Sequence, residues 1–524
     1  MFRHSRLFLA LLVAAALLVQ AVAPAGAEKF EQGGRVTWKQ VEDFITLTQS
    51  RLLNSVARDG SVRFDGGFGN SLYDLGASAL VCYALLASDI RPGDKTVDRL
   101  LLNISNSSLQ KNALSTYTAA CVAMALAEAD PVRYRLHIQT CADYLAKAQL
   151  ASGMWSYNAS GRDGRAINET GDNSNTQFAV LGLKAAHEAG CKVDQRVFQR
   201  TRGHFLRTQH RSGGWGYSGW AREDPYGSMT AAGVASLWAI GEILYGKEHH
   251  CGDIPDPDLE KSLYNGVKWL DKNFAPTGSG LFGASWDNYY LYAVERVGIF
   301  TSQRYMNDYD WYRAGAAQIV NSGLSSSVSE VAFALLFLAK GRHPLIIQKL
   351  ERPGADWDND HYDLENLTKF YSEAARAEVT WSNARMRLDA ADLLEAPLLL
   401  ISGREKKLDL SGLERRILRE YLQNGGMLLV VPASDSVVFA DSFRVLMKEM
   451  YPESALELLP KDHPVYSHVF EIDPANRPDI YSLHEGCSLK VLFIPQGQLT
   501  CKWTTNDDSS QAFKLGTNIL GFLT

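Results

Sequence analysis

The chain has 524 residues, of which 46% are hydrophobic and 21% charged, and its formal net charge is −6. These values are typical of globular proteins, and the length suffices for about two to four domains. The negative balance gives no electrostatic reason to expect nucleic acid as a partner.

The N-terminus has the pattern of a secretory signal peptide. A basic start precedes an apolar stretch over residues 7–22, and the small residues Ala25 and Ala27 follow at the spacing that signal peptidase recognises. We predict a signal peptide at 1–27, cleaved after Ala27, and an exported protein in the periplasm or outside the cell. An uncleaved anchor is the alternative. No later segment reaches 18 uninterrupted apolar residues, so the mature chain is not expected to span a membrane.

Residues 37–340 are predicted to form about twelve helices in six pairs. Each pair joins an amphipathic helix to a nearly all-apolar helix rich in small residues, such as 175–189 and 228–244. An amphipathic helix shows one polar face to water, whereas an apolar one is surrounded by neighbours. The predicted fold is therefore mainly α, an (α/α)6 toroid of inner helices ringed by outer ones. An open solenoid of helical repeats is the alternative.

Two segments of this region repeat each other. Residues 143–157 and 204–218 each end a helix with Gln and continue through a Gly-containing turn to Trp and then Tyr. Trp155 lies 60 residues before Trp215. This motif resembles the Gln-Trp repeat of squalene–hopene cyclases and related prenyltransferase-fold proteins. The resemblance implies a terpenoid-cyclase-like toroid in which the Gln caps a neighbouring helix and the Trp packs between outer helices.

The catalytic motifs of those relatives are absent. The chain has no Asp-x-Asp-Asp acid, no Asp-x-Cys zinc pair and no Cys-x-Glu-Gln thioester. The nearest acidic run, Asp308 to Asp310, is interpreted as a helix cap. The loop 249–253 contains two His and one Cys, but such close neighbours rarely converge on one ion. No metal site and no cofactor are predicted.

The remaining candidates lie where the inner helices begin. Asp172 and Asn173 precede one inner helix, and a second one begins near Asp287. Acidic, amide and aromatic groups in a concavity suit a sugar or a polar-headed ligand, although the same residues also serve as helix caps and packed rims. The weak catalytic candidates are Asp172, Asp287 and Tyr289. The candidate ligand-binding residues are Trp155, Asn173, Trp215 and Trp286.

The cysteines show no zinc spacing. Cys82 and Cys121 lie in segments of small apolar residues and are predicted to be buried free thiols. Cys487 and Cys501 are expected to pair or to stay buried.

The C-terminal part has a different pattern. Residues 341–358 contain two prolines, two glycines and several acidic residues, and they are predicted to be a linker. From 359 to 524, helices alternate with buried apolar runs such as 396–403 and 427–433. This alternation predicts an α/β domain with a parallel sheet covered on both faces.

This domain resembles an uncharacterised family of C-terminal domains with a flavodoxin-like fold of the class I glutamine-amidotransferase type. The matching runs are Asp356-Trp357, Ile401-Ser402-Gly403, Gly425-Gly426 and Asp462-His463-Pro464. True amidotransferases carry a nucleophilic cysteine on a tight turn between a strand and a helix. The corresponding segment here ends in Ser434, without flanking glycines, so a turn residue is the favoured interpretation.

Two functions remain open. The leading hypothesis is an exported, non-catalytic ligand-binding or interaction protein, whose partner is a small molecule, a glycan or another protein. The alternative is an exported enzyme that acts on an envelope glycan or an isoprenoid-like lipid through carboxylates at the opening of the toroid. A deep cavity with two facing carboxylates would favour the enzyme, and a plugged cavity would favour the binding protein.

Overall fold

The computed structural model describes residues 36–64, 73–110, 113–157, 170–245, 256–277, 287–301, 303–340, 344–352, 354–377, 379–386, 390–404, 406–486, 488–505 and 511–523. The signal peptide predicted at 1–27 and the candidate Trp286 lie outside these residues.

Twelve helices of the described chain form six antiparallel pairs. The outer helices are α1 (Trp38–Ser55), α3 (Lys95–Ser108), α5 (Arg135–Ala148), α7 (Gln195–Thr208), α9 (Pro257–Asn273) and α11 (Trp311–Ser322). The inner helices are α2 (Asp74–Ala87), α4 (Thr116–Ala129), α6 (Asn173–Glu188), α8 (Gly227–Tyr245), α10 (Asp287–Thr301) and α12 (Val328–Lys340).

The two kinds of helix differ in what they bury. Outer helix α3 is capped by the Asp94 side chain and buries one stripe, which includes Val97 and Leu101. Inner helix α4 buries every residue from Thr118 to Leu126. Inner helix α8 is the one described helix with the length and apolarity to cross a membrane, and most of it is buried inside the ring.

The inner helices form a closed ring. Each packs against the next in chain order, from α2 through α4, α6, α8 and α10 to α12, and α12 packs against α2. Small residues permit this close packing, because a Cβ on Gly182 of α6 would lie only 2.6 Å from the Cα of Ala120 on α4. The predicted (α/α)6 toroid is therefore confirmed, and the contact between α12 and α2 rules out the open solenoid.

A short hairpin precedes the last outer helix. Strands β1 (Tyr305–Met306) and β2 (Tyr309–Asp310) pair antiparallel. Asp310 then caps α11, because its Oδ1 accepts a hydrogen bond from Arg313 N at 3.0 Å, and its Oδ2 accepts one from Arg304 Nε at 3.1 Å. The acidic run at 308–310 thus ends in a helix cap, as interpreted from the sequence.

The second domain is built on a seven-stranded sheet of order β4-β3-β5-β6-β9-β8-β7. The strands are β3 (Leu345–Leu350), β4 (Thr380–Ala384), β5 (Leu398–Ile401), β6 (Met427–Val430), β7 (Glu457–Leu458), β8 (Tyr481–Glu485) and β9 (Ser488–Phe493). The first five in the sheet order are parallel, β8 pairs antiparallel with β9, and β7 pairs antiparallel with β8. The antiparallel edge was not predicted.

Helices cover both faces of this sheet. α13 (Asp363–Ala375) and α17 (Gln511–Leu523) pack on one face, and α14 (Gly412–Gln423) and α15 (Val437–Met450) pack on the other. A short helix, α16 (Leu499–Lys502), follows β9. The predicted α/β domain with a doubly covered, mainly parallel sheet is therefore present.

The predicted linker at 341–358 is corrected by the structure. Residues 345–350 form β3, which lies between β4 and β5 in the sheet. The pattern was misleading because Gln348 and Lys349 are polar, yet both are buried and hydrogen-bonded, to Asp392 O and to the Asp363 carboxylate respectively. The second domain therefore begins by Leu345.

The second domain docks on the end of the ring where the inner helices finish. The Tyr362 ring meets Trp238 of α8 edge-on, with the ring centroids 4.7 Å apart. Arg304, beside the hairpin, forms an ion pair with Glu395 of the second domain at 2.6 Å. The opposite end of the ring, where the inner helices begin, is called the mouth below.

Candidate functional site

The two Gln-Trp repeats connect neighbouring outer helices close to the mouth. Gln149 Nε2 donates to Val197 O of the next outer helix at 2.9 Å, and Gln209 Nε2 donates to Ser262 O at 2.8 Å. Each repeat thus ties one outer helix to the next. This agrees with the structural role that the family resemblance implies for the glutamine.

The tryptophans of the repeats are completely enclosed. Trp155 Nε1 donates to Leu145 O at 2.7 Å, and Trp215 Nε1 donates to Phe205 O at 3.0 Å. Both side chains are 0% exposed. The structure therefore places Trp155 and Trp215 in packing roles and presents neither ring to a ligand.

Asp172 is held firmly at the N-terminus of α6. Its Oδ1 accepts hydrogen bonds from Asn175 N at 2.8 Å and from Ser174 Oγ at 2.6 Å. Its Oδ2 accepts one from Asn175 Nδ2 at 2.8 Å. Asp172 also forms an isolated antiparallel bridge with Trp155, so the repeat positions it. The carboxylate is therefore a helix cap with a fixed orientation.

Asn173 connects α6 to the loop before α8. Its Nδ2 donates to Gly216 O at 2.8 Å, and its Oδ1 lies 2.9 Å from His204 Nε2. Burial, with a further effect of Arg207, lowers the pKa of His204 to about 4. The neutral imidazole then donates its Nε2 proton to Asn173, whose amide is already used within the protein.

Five tyrosines surround Asp172. They are Tyr117, Tyr157, Tyr217, Tyr226 and Tyr289. Burial raises the pKa of each hydroxyl, and the Asp172 charge raises it further. The hydroxyls of Tyr157 and Tyr217, which occupy equivalent positions in the two repeats, lie 3.4 Å apart. Tyr289 Oη donates across the ring to Gln177 Oε1 at 3.0 Å. The site therefore carries hydroxyls that stay protonated near neutral pH.

Three buried polar atoms of this cluster have no hydrogen-bond partner within the described chain. They are Asn175 Oδ1, Gln177 Nε2 and Tyr226 Oη, and each residue is at most 6% exposed. Most buried polar groups are satisfied, and leaving one unpaired costs about 1–3 kcal/mol. The cluster thus contains one acceptor, one donor and one hydroxyl without a hydrogen-bond partner in the described chain. This combination indicates a binding place for a polar ligand.

A second acidic group at the mouth was not predicted from the sequence. Glu330, in the first turn of α12, is 7% exposed, and its Oε2 accepts a hydrogen bond from Asn288 N at 3.2 Å. Burial, with the neighbouring carboxyl of Asp287, raises the pKa of Glu330 to about 7. The structure thus brings Asp287 and Tyr289 together with Glu330. An acid in the first turn is common in helices, so Glu330 carried no distinguishing signal.

Glu330→Gln should change how stability depends on pH. The pKa of Glu330 is raised in the folded state, so its favourable contribution is complete below about pH 4.5 and is lost as the pH rises through about 7. At pH 8 we expect Glu330→Gln to be more stable than the wild type by on the order of 2–3 kcal/mol. At pH 4.5 the two proteins should differ little. Urea unfolding at both values measures this, with the exposed Glu373→Gln as control. Equal pH dependence of wild type and Glu330→Gln would contradict the assignment.

Aromatic rings fill the centre of the ring below the mouth. Tyr117, Phe178, Tyr289 and Phe333 come from four inner helices, and successive ring centroids lie 4.7–6.2 Å apart. A separate cavity of about 320 Å³ lies towards the opposite end, where Lys184, Glu188 and Arg296 contribute to its walls. The mouth site is therefore closed at its base.

The possible metal ligands and the free thiols of the described residues are as follows. No group of three or more His, Cys, Asp or Glu there could hold a metal ion. The loop 249–253 lies outside the described residues. Cys82 and Cys121 are free and buried, as predicted.

Known proteins resemble the two parts of the chain separately. Residues 346–523 match the family model described as a domain of unknown function, DUF4159. This match begins within β3 and spans the second domain. No curated protein matches the chain.

Several solved structures resemble more than half of the chain. A type II terpene cyclase from Scytonema, in complex with geranylgeranyl dihydroxybenzoate, is 12% identical over 58% of this chain and 97% of its own, with a TM-score of 0.39. An inactive variant of an α-1,6-mannanase from Salegentibacter, in complex with α-1,6-mannotriose, is 10% identical over 57% and 98%, with a TM-score of 0.43. A possible member of the GH105 family from Salmonella enterica is 11% identical over 58% and 94%, with a TM-score of 0.30.

Proposed function

We propose that the protein binds a small carbohydrate-type ligand at the mouth of the ring and does not transform it. The observation that carries this proposal is the set of unpaired buried atoms, Asn175 Oδ1, Gln177 Nε2 and Tyr226 Oη. Sugar hydroxyls both donate and accept hydrogen bonds, and sugar C–H faces suit tyrosine rings. A ligand of this class would form hydrogen bonds with the three atoms that have no partner in the described protein.

Three further observations favour binding over catalysis. The Asp172 carboxylate already accepts three hydrogen bonds from its own loop and helix, which limits its use as an acid or base. The aromatic rings beneath the mouth pack against one another in the described part of the chain, which restricts the space for a long substrate there. The known cyclase, zinc and thioester motifs are also missing from the sequence.

Tyr226→Phe tests the proposal without disturbing the fold. Because Tyr226 Oη has no partner in the described protein, its removal should leave the melting temperature unchanged or slightly raised. We expect the affinity for the best-bound sugar to fall roughly five- to tenfold. Isothermal titration calorimetry with chitotriose, cellotriose, maltotriose and mannotriose provides the measurement.

Tyr421→Phe is the matched control for this experiment. Tyr421 Oη is buried in the second domain and donates to Pro397 O at 2.9 Å. Its loss should destabilise the second domain by about 1–3 kcal/mol and leave sugar affinity unchanged. Binding of all four sugars at equal strength by wild type and Tyr226→Phe, or binding of none, would contradict the proposed site.

Glu330 is the observation that supports the alternative function, an enzyme. A carboxyl with a pKa of about 7 can donate and accept a proton near neutral pH. An enzyme acting on an envelope glycan or an isoprenoid-like lipid would use Glu330 as the acid, with Asp287 or Asp172 as its partner. Chromatographic detection of products from the best-bound oligosaccharide tests this. Turnover that Glu330→Gln abolishes while binding persists would replace the binding proposal.

We also infer that the protein is exported. The sequence at 1–27 supports this, and so does Cys501, which is disulfide-bonded, because disulfides persist in oxidising compartments. N-terminal sequencing of the mature protein should begin at Glu28.

We infer that the second domain is a non-catalytic relative of class I glutamine amidotransferases. In support, Ser434 lies in the turn between β6 and α15 with φ 51°, a left-handed conformation that is uncommon outside glycine. This is where such enzymes place their cysteine. Glutaminase activity that Ser434→Ala abolished would contradict the inference.

A further inference from the structure

A cavity of about 320 Å³ lies towards the end of the ring opposite the mouth. Its walls come mainly from the C-terminal halves of four inner helices, α2, α4, α6 and α10. The buried side chains of Tyr83, Met124, Leu181 and Tyr292 form the inner part of the wall. Glu128, which is exposed, forms part of the outer wall, so the cavity reaches the protein surface. Its volume lies in the range of small-molecule sites, about 300–1,000 Å³.

Arg296 lies in this wall with part of its donor capacity unused. It is 9% exposed, and its Nε donates to Glu295 Oε2 at 2.6 Å while its Nη2 donates to Glu295 Oε1 at 2.5 Å. A guanidinium group carries further N–H donors, and Arg296 forms no other hydrogen bond with the described residues. Glu295 contributes nothing to the described wall of the cavity. The edge of the guanidinium group formed by Nη1 and Nη2 therefore remains for a ligand.

Two aromatic rings hold this guanidinium group in place. Its Cζ lies 5.3 Å from the centroid of the Tyr292 ring and 5.8 Å from that of the Phe300 ring. Burial opposes its charge, but Glu295, Tyr292 and Tyr83 outweigh the effect and raise the pKa of Arg296. The group is thus a fixed, charged donor. A guanidinium edge of this kind matches the two oxygens of a carboxylate.

Two tyrosine hydroxyls border the same cavity. Tyr83 is 8% exposed and Tyr292 is 1% exposed, and neither hydroxyl forms a hydrogen bond with the described residues. The charges of both tyrosines act on Arg296, so the three groups lie near one another in the wall. Most buried polar groups of proteins have a partner. Two unpaired hydroxyls beside unused guanidinium donors therefore indicate the place of a ligand's acceptor oxygens.

The outer wall of the cavity carries negative charge. Glu128 lies in the last turn of α4 and Glu188 in the last turn of α6, where the helix dipole also favours a cation. Lys184 pairs with Glu188 at 2.5 Å and with Glu242 at 2.9 Å. Glu128 forms no ion pair with the described residues. An ammonium group is therefore favoured at this end of the cavity, and a ligand that is only an anion is opposed there.

We propose that this cavity binds a free α-amino acid with a large apolar side chain. The ligand's carboxylate would accept hydrogen bonds from Arg296 and from the two tyrosine hydroxyls. Its ammonium group would pair with Glu128, and its side chain would pack against Met124 and Leu181. All these groups border one cavity, and together they match a ligand that carries both charges and an apolar body. This proposal does not rest on the sugar site at the mouth.

Isothermal titration calorimetry of the full chain tests the proposal with two amino acids, L-phenylalanine and L-leucine. The comparison probes are 3-phenylpropionate, which lacks the ammonium group, 2-phenylethylamine, which lacks the carboxylate, and glycine, which lacks the side chain. The better of the two amino acids should bind each comparison probe's site more tightly by about tenfold or more.

Two variants of the inner wall show whether the carboxylate binds there. Arg296→Lys keeps a positive charge beside Glu295 but loses the planar pair of donors, so amino-acid affinity should fall by about tenfold or more. Tyr292→Phe should lower the affinity by roughly fivefold and leave the melting temperature unchanged, because the hydroxyl has no partner in the described protein. It decides the matter if Arg296→Lys fails to fold. Tyr264→Phe, on the outer helix α9 and 65% exposed, should bind like the wild type.

Glu128→Gln tests the outer end of the site. It should weaken amino-acid binding by roughly fivefold and leave the affinity for 3-phenylpropionate unchanged or raised. The exposed Glu373→Gln is the control and should bind every probe like the wild type.

The outcomes also separate this site from the mouth. Tyr226→Phe should keep full amino-acid affinity, and Arg296→Lys should keep full sugar affinity, so the failure of one proposal leaves the other unaffected. Absence of binding by both amino acids, equal affinity for all five probes, or equal amino-acid affinity in the wild type, Arg296→Lys and Tyr292→Phe would overturn the proposal.

Discussion

Lys349→Met should lower the free energy of unfolding of the second domain by about 3–5 kcal/mol. Lys349 lies on β3 and is 1% exposed, and its Nζ donates to Asp358 at 2.7 Å and to Asp363 at 3.0 Å. Burial opposes its charge, but these two carboxylates outweigh the effect and raise the pKa of Lys349. Without the ammonium group, Asp363, itself 1% exposed, is left as a buried negative charge.

Urea unfolding followed by tryptophan fluorescence measures this loss, with Lys461→Met as the matched control. Lys461 pairs with Asp479 at 2.7 Å on the surface of the same domain, where both side chains are about half exposed, so its replacement should cost less than about 1 kcal/mol. Burial raises the pKa of Asp363 to about 6 even beside Lys349. The loss should therefore shrink at pH 5, where the carboxyl takes up a proton. A loss independent of pH, or equal in both variants, would contradict this account.

Trp215→Ala should destabilise the ring by about 3–5 kcal/mol. The indole is 0% exposed and fits against two glycines of neighbouring helices. A Cβ on Gly233 of α8 or on Gly266 of α9 would lie only 2.6–2.8 Å from the ring. Removing the indole leaves a cavity among α7, α8 and α9. The helix backbones around it are already closely packed, so they cannot move inward to fill it. The substitution also removes the hydrogen bond from Trp215 Nε1 to Phe205 O, which then keeps only the bond from Gln209 N at 3.1 Å.

Trp220→Ala is the control for this substitution. Trp220 lies in the same loop but is 68% exposed, so its replacement should change stability by no more than about 0.5 kcal/mol. Because Tyr217 follows Trp215 by two residues, Trp215→Ala should also weaken sugar binding at the mouth. Chemical unfolding together with calorimetry separates the two effects. Equal stability of the two tryptophan variants would contradict the packing role.

The ring could be predicted from the sequence because its signals are local. Alternation between amphipathic and apolar helices, together with the spacing of Trp155 and Trp215, is enough to identify six pairs. β3 was not predicted because it is buried on both faces, and such a strand does not show the alternation of apolar and polar residues that marks a half-exposed strand. Its polar residues are accommodated in the interior because they form hydrogen bonds with partners there. Lys349 finds such partners only after the chain has folded, in carboxylates 9 and 14 residues away.

The site was less predictable than the fold. Asp172 was placed correctly at the mouth because capping residues can be read from the sequence. The sequence could not predict that Gln177 Nε2 and Tyr226 Oη lack hydrogen-bond partners in the described chain. That property depends on which side chains come within hydrogen-bond distance of them in the folded ring. The raised pKa of Glu330 likewise depends on its burial in the folded ring and, to a smaller extent, on Asp287, which belongs to another helix.

The contact between α12 and α2 has a consequence for how the helical domain unfolds. In an open array of repeats, the terminal units have one neighbour each and can fray independently. Here every inner helix has two inner neighbours, so the domain has no terminal repeat from which melting can propagate. Detaching any one pair breaks two interfaces at once, and the six pairs should therefore exchange their most protected amide hydrogens as a single cooperative unit.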